Sequence, residues 1–136
     1  MTFDTKVAIV LRDDLDVWQK LNVTAFIASA LAGAYPDIIG EPYWDASGNQ
    51  YMAMVIQPMM VYRATAAELS KAHRRGMEAD VRMAIFTAEL FSTGNDIDNR
   101  AAVAKTPVES LDLVGIAMRD MKKTVDKVIK GLKLHP

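Results

Sequence analysis

The sequence predicts an α/β fold, a three-layer α/β/α sandwich around a mixed four- or five-stranded sheet, and three observations carry that expectation. Val7–Leu11 is an unbroken apolar run rich in β-branched residues, as suits a strand covered on both faces. Leu111–Met118 is a second long and mostly apolar run, with Gly115 inside it. Strand-like and helix-like segments alternate along the rest of the chain, and helices on both faces of one sheet are the natural assembly for such a pattern.

Val7–Leu11 is expected at the centre of the sheet, ending in Arg12-Asp13-Asp14. A polar loop to Lys20 leads into a helix expected over Leu21–Ala34, rich in alanine, free of proline and with Asn22 placed to cap its first turn. This helix is apolar nearly all round, so a sheet and a neighbour, or a second subunit, are expected to cover it. Tyr43–Trp44 and Tyr51–Ile56 flank Asp45-Ala-Ser-Gly-Asn49, a run of turn formers that reads as a hairpin-like connection. Pro58 interrupts the second run, and Met59–Tyr62 is expected as an edge strand because proline has no N–H for a central ladder. Thr65-Ala-Ala-Glu68 is a capping box that opens a helix to about Arg75, stopped at Gly76. Val81–Phe86 reads as a strand, Ser92–Asp96 as a polar turn, and the next helix runs to Lys105 before Pro107. A last helix is expected from about Asp120 to Lys130, ended by Gly131.

At 136 residues and 51% hydrophobic content, the chain is expected to form a single domain over 1–136 with a sizeable core. Sixteen basic residues against seventeen acidic ones leave a net charge of -1, which argues against a wide nucleic-acid footprint. The absence of cysteine removes disulfides, thiolate nucleophiles and cysteine metal sites, and suits a cytoplasmic protein. The opening Met1–Lys6 lacks the basic start and long apolar run of a signal peptide, and Val23–Ala34 is too short to cross a bilayer, so no membrane is expected as partner.

The residues that bear on chemistry cluster early. Asp14 follows the first strand, where side chains at the C-terminal ends of α/β strands face ligands. Asn22 and Thr24 fall in the first turn of the expected helix, whose free N–H groups attract anions. His73 and His135 are expected at the surface and lack metal-ligand spacing, so no metal and no cofactor is expected. Arg119, Lys123, Lys127 and Lys130 form a basic stripe on the last helix, a solvated face or a contact for RNA or an acidic partner. No phosphate-loop, zinc-protease or nucleophile-elbow motif is present.

Across Lys6–Leu15, Thr65–Phe86 and Leu111–Leu134 the layout resembles the type II peptidyl-tRNA hydrolase fold. Asp14-Leu15, Leu21-Asn-Val-Thr24, the Asp45-Ala-Ser-Gly48 turn and Val114–Met118 before Lys122-Lys123 resemble, more closely, an uncharacterised bacterial family of that fold, classed as a domain of unknown function. The hydrolase resemblance implies a catalytic lysine before the first helix, at Lys20 or Asn22 here, and a glutamine and a histidine where this chain has Phe26 and Ser29. It implies a carboxylate after the third strand, where Ala88 stands beside Glu89, and hydroxyls near Ser92 and at Ser110. Glu89, Ser110 and Lys20 are thus the catalytic candidates, for hydrolysis of an ester link to tRNA, and Asp14, Asn22 and Thr24 the ligand-binding ones. With the charged residues substituted, binding of a small or acyl-bearing ligand is the leading expectation. The apolar first helix, the methionine-rich segment 52–60 and the resemblance together imply a homodimer.

Overall fold

A computed structural model describes residues 2–136. Among the described residues seven strands, β1 (Thr5–Arg12), β2 (Tyr43–Trp44), β3 (Gln50–Tyr51), β4 (Met59–Ala64), β5 (Met83–Thr87), β6 (Leu113–Met121) and β7 (Lys133–Leu134), are joined with four α-helices, α1 (Val17–Ala34), α2 (Ala66–Glu78), α3 (Asp96–Ala104) and α4 (Lys122–Val128). The main sheet has the order β5-β6-β1-β4-β7. β1 is therefore central, as its composition predicts, with β4 parallel on one side and β6 antiparallel on the other.

Alternation along β1 sends Val7, Ile9 and Leu11 to one core and Ala8 and Val10 to another. The first core is closed by Val23, Ile27 and Leu31 of α1, and the second by Leu69 and Ala72 of α2 with Val125 and Val128 of α4. Helices on both faces of a mixed five-stranded sheet make the predicted three-layer sandwich. α1 also serves the crossover that a parallel β1–β4 pair requires. It sits on Gly115, where the pairing of β5 with β6 shifts register and a Cβ would come within 2.5 Å of Val23 Cγ1.

Four local expectations are corrected by packing. β4 is an interior strand, because β7 returns to pair with Tyr62 and Arg63. Pro58 stands just before β4 and its first pairing, Val7 with Met59, so the missing N–H costs the ladder nothing. α2 runs past Gly76 to Glu78, and that glycine admits the Met83 side chain, whose Sδ would lie 2.7 Å from an added Cβ. The last helix is confined to Lys122–Val128, since Arg119, Asp120 and Met121 stay in β6 opposite Val7, Lys6 and Thr5. Arg119 is thereby removed from the basic stripe expected on that helix; its guanidinium lies 4.9 Å from the Tyr35 ring centroid and its Nε donates to Gln57 Oε1.

His73, expected at the surface, is buried, packed where α2 meets the chain entering β6. Burial disfavours its charged form and holds its pKa below 6.5. The segment from Ile39 to Ile56 projects as an arm: β2 and β3 pair for two residues only, and Tyr51 to Ile56 does not extend the hairpin, although Ile39 bridges Val55. At its tip Asp45 accepts from the Asn49 side chain, the Asn49 and Ser47 N–H groups and the Tyr51 hydroxyl, which hold its carboxyl at about 2. Gln57, donating to the Thr5 carbonyl and hydroxyl at 2.9 Å, pins the arm's return to β1.

Two outcomes follow from this packing. Gly115→Ala forces Val23 and α1 off β6 and is expected to lower stability by about 1–3 kcal/mol, read as a lower urea midpoint at unchanged slope. The unfolded chain binds a proton at His73 more readily than the folded chain does. Stability from this group is therefore full above pH 6.5 and declines as pH falls through 6.5 towards the lower folded-state pKa. Urea midpoints across that range should fall for the parent chain, and His73→Gln should flatten the fall.

Candidate functional site

The sheet end named by the sequence is a junction of three segments. Arg12 at the end of β1 donates from Nε to Asp14 Oδ1 at 2.6 Å and from Nη1 to Asp112 Oδ1 at 2.9 Å, clamping the start of the loop to the entry of β6. Its desolvation works against the charge, and the two carboxylates more than compensate, so its pKa is raised. The Ala88 N–H donates to the Asp112 carbonyl at 2.9 Å, tying the end of β5 to the same place. Asp14 is thus engaged in holding the loop, while the Asp13 N–H donates to Ala64.

α1 begins earlier than composition suggests, and this rearranges the helix-borne candidates. Its N-cap is Asp16, with Gln19 Oε1 accepting from the Asp16 N–H at 2.9 Å, so Asn22 lies inside the helix and does not cap it. The Asp16-x-x-Gln19 pairing was the available signal. Two residues apart on a helix differ by roughly 200° in direction, so Asn22 and Thr24 occupy opposite flanks of α1. The Thr24 hydroxyl donates to the Lys20 carbonyl at 2.7 Å, a bond within the helix. Glu89 is exposed on the 3-10 turn Ala88–Phe91 and Ser110 on the turn Val108–Ser110. Among the described residues, no hydrogen bond joins the side chains of Lys20, Glu89 and Ser110.

Asn22 instead lines a hollow of about 440 Å³ bounded by α1, the end of β5 and the loop into α3. Trp18, Asn22 and Phe26 recur every four residues and so share one flank of α1. Phe86 and Phe91 complete an aromatic wall: Trp18 meets Phe91 edge-on at 5.6 Å between centroids, Phe91 lies 5.1 Å from Phe86, and Phe86 5.9 Å from Phe26. Sequence reading missed these aromatics, because Trp18 stood in an expected loop and Phe91 in an irregular segment. The four-residue spacing of Trp18, Asn22 and Phe26 becomes a signal once the helix start is moved to Asp16.

The polar rim is ordered by its own hydrogen bonds. Thr93 Oγ1 meets the Leu90 carbonyl and Asn99 Oδ1, and Asn95 caps α3 by accepting from the Asp98 N–H at 2.9 Å. Asp96 is paired with Arg100 at 2.7 Å. The half-buried Asn22 amide has no hydrogen-bond partner among the described residues and faces the same hollow. Among the described residues no three His, Asp or Glu side chains group as ligands for a metal ion, and no helix is long and apolar enough to cross a membrane.

The family model described as "Protein of unknown function (DUF2000)" matches residues 5–136. The chain is similar to a solved structure of a protein of unknown function from Agrobacterium tumefaciens strain C58, with 45% sequence identity and a TM-score of 0.97, over 99% of this chain and 100% of that one. No curated protein matches.

Proposed function

Since the chain belongs to the DUF2000 family of proteins of unknown function, its own geometry has to supply a role, and we propose that the hollow beside α1 binds a small uncharged molecule with a flat or acyl body and an amide or carbonyl group. The observation that carries this reading is the Asn22 amide, half-buried and unpartnered beside aromatic rings. An Asn side chain both donates and accepts, so it matches an amide or carbonyl in either orientation. The aromatic wall favours a flat or apolar body. Asp96, the charged residue on the wall, is already paired with Arg100, so nothing there selects a charged ligand. The likeness to type II peptidyl-tRNA hydrolases is one of layout in this reading, because Phe26 and Ser29 stand where that chemistry has its glutamine and histidine.

The test uses Trp18 fluorescence in a Trp44→Phe background, with benzamide as probe and benzoate and benzylamine as charged controls. Benzamide should quench saturably, and Asn22→Ala should weaken it about tenfold, equivalent to about 1.4 kcal/mol. Glu89→Gln and Ser110→Ala should leave the affinity unchanged. Equal binding of benzoate, or no saturable response to benzamide, defeats the reading.

We further propose a homodimer, supported by apolar surface that a monomer leaves in water. Met52 is 90% exposed and Trp44 63%, and the arm also exposes Tyr43, Tyr51, Met54 and Ile56. Val17 and Leu21, the latter 68% exposed, present the outer face of α1. The arm's apolar residues alone expose on the order of 800 Å², comparable to the roughly 800 Å² per partner of a stable interface. A second copy is the partner that always brings a matching arm and helix. Light scattering at micromolar concentration should give twice the 15.0 kDa chain mass, and Trp44→Ser with Met52→Glu should halve it with helicity unchanged. A monomeric parent chain overturns the proposal.

A further inference from the structure

The opposite face of the sheet carries a hollow of about 370 Å³ between α2 and the chain entering β6. His73, Arg74 and Glu78 line it from α2, and Glu109, Leu111 and Leu113 from the other side. His73 is 7% exposed, and neither ring nitrogen has a hydrogen-bond partner among the described residues. Buried polar groups are rarely left so. The one fully enclosed orphan atom among the described residues is His135 Nε2, so the His73 ring is not wholly enclosed, and His73 lines the hollow.

The charges on the wall narrow the chemistry of a ligand. Glu78 and Glu109 contribute two negative charges and Arg74 one positive, leaving -1 in formal charge when His73 is neutral. Burial keeps the imidazole neutral at pH 7, so it adds no repulsion to a cation and offers one nitrogen as a hydrogen-bond acceptor. Leu111 and Leu113 supply an apolar floor. The two carboxylates come from separate elements, Glu78 from the end of α2 and Glu109 from the turn before β6.

We propose that this hollow is a binding site for a small amphipathic amine, its ammonium between Glu78, Glu109 and the His73 ring and its apolar body on Leu111 and Leu113. The ammonium donates N–H bonds to the carboxylates and to the free imidazole nitrogen, satisfying a group that the protein leaves unpaired.

The site is tested by NMR on the full chain with phenethylamine, 2-phenylethanol and phenylacetate, following the ring protons of His73 assigned by comparison with His135→Gln. Phenethylamine should shift the His73 resonances saturably and bind about tenfold more tightly than either analogue. The exposed substitution Glu109→Gln should weaken phenethylamine about three- to tenfold while folding is intact, and Asn22→Ala on the other face should change nothing. Equal binding of phenylacetate or 2-phenylethanol, an unchanged affinity in Glu109→Gln, or no saturable His73 shift up to about 10 mM overturns the proposal.

Discussion

Burial of β1 on both faces is the constraint from which the other layers follow. Five consecutive residues, Val7 to Leu11, have no water-facing side, so each face must be roofed by a helix and each edge by another strand. β6 and β4 meet the edges, α1 roofs one face, and α2 with α4 roofs the other. Because β4 runs parallel to β1, the chain must return to the starting end of the sheet between them. That crossover comprises α1 and the arm, the two segments that leave the most apolar surface uncovered.

α1 shows how one helix serves several purposes when it is apolar all round. Val23, Ile27 and Leu31 fill the core and lean on Gly115. The flank bearing Trp18, Asn22 and Phe26 forms a wall of the aromatic hollow, and Val17 and Leu21 face outward. An amphipathic helix would have spared only its inner stripe for packing. The composition of α1 thus belongs to a segment that is contacted from more than one direction.

The two hollows lie on opposite faces of the sheet and differ in electrostatics. Beside α1 the one carboxylate of the wall is neutralised by Arg100, leaving aromatic surface and an amide. Beside α2 the wall keeps an excess carboxylate around a neutral imidazole. The junction between them, where Arg12 holds Asp14 and Asp112, has its charged groups engaged with one another. It works as a brace for the sheet end that both hollows adjoin.

By itself the sequence determined the features that depend on neighbours along the chain. The apolar run of β1 called for a central, doubly covered strand, Thr65-Ala-Ala-Glu68 capped α2 through hydrogen bonds spanning three residues, and Asn95 capped α3 in the same way. Only the tertiary structure decided features set by distant partners. Pairing with Thr5–Val7 kept Arg119–Met121 in a strand although their spacing fits a helix, and the return of β7 made β4 interior. Packing of α2 on the sheet buried His73, and the bend of Ala88–Phe91 brought Phe91 to Trp18. Asn22 was expected to cap the helix, whereas the earlier start at Asp16 puts it inside α1, on the flank it shares with Trp18 and Phe26. Hydrogen bonds within a turn are encoded locally, whereas which surfaces meet is settled only when the whole chain competes for burial.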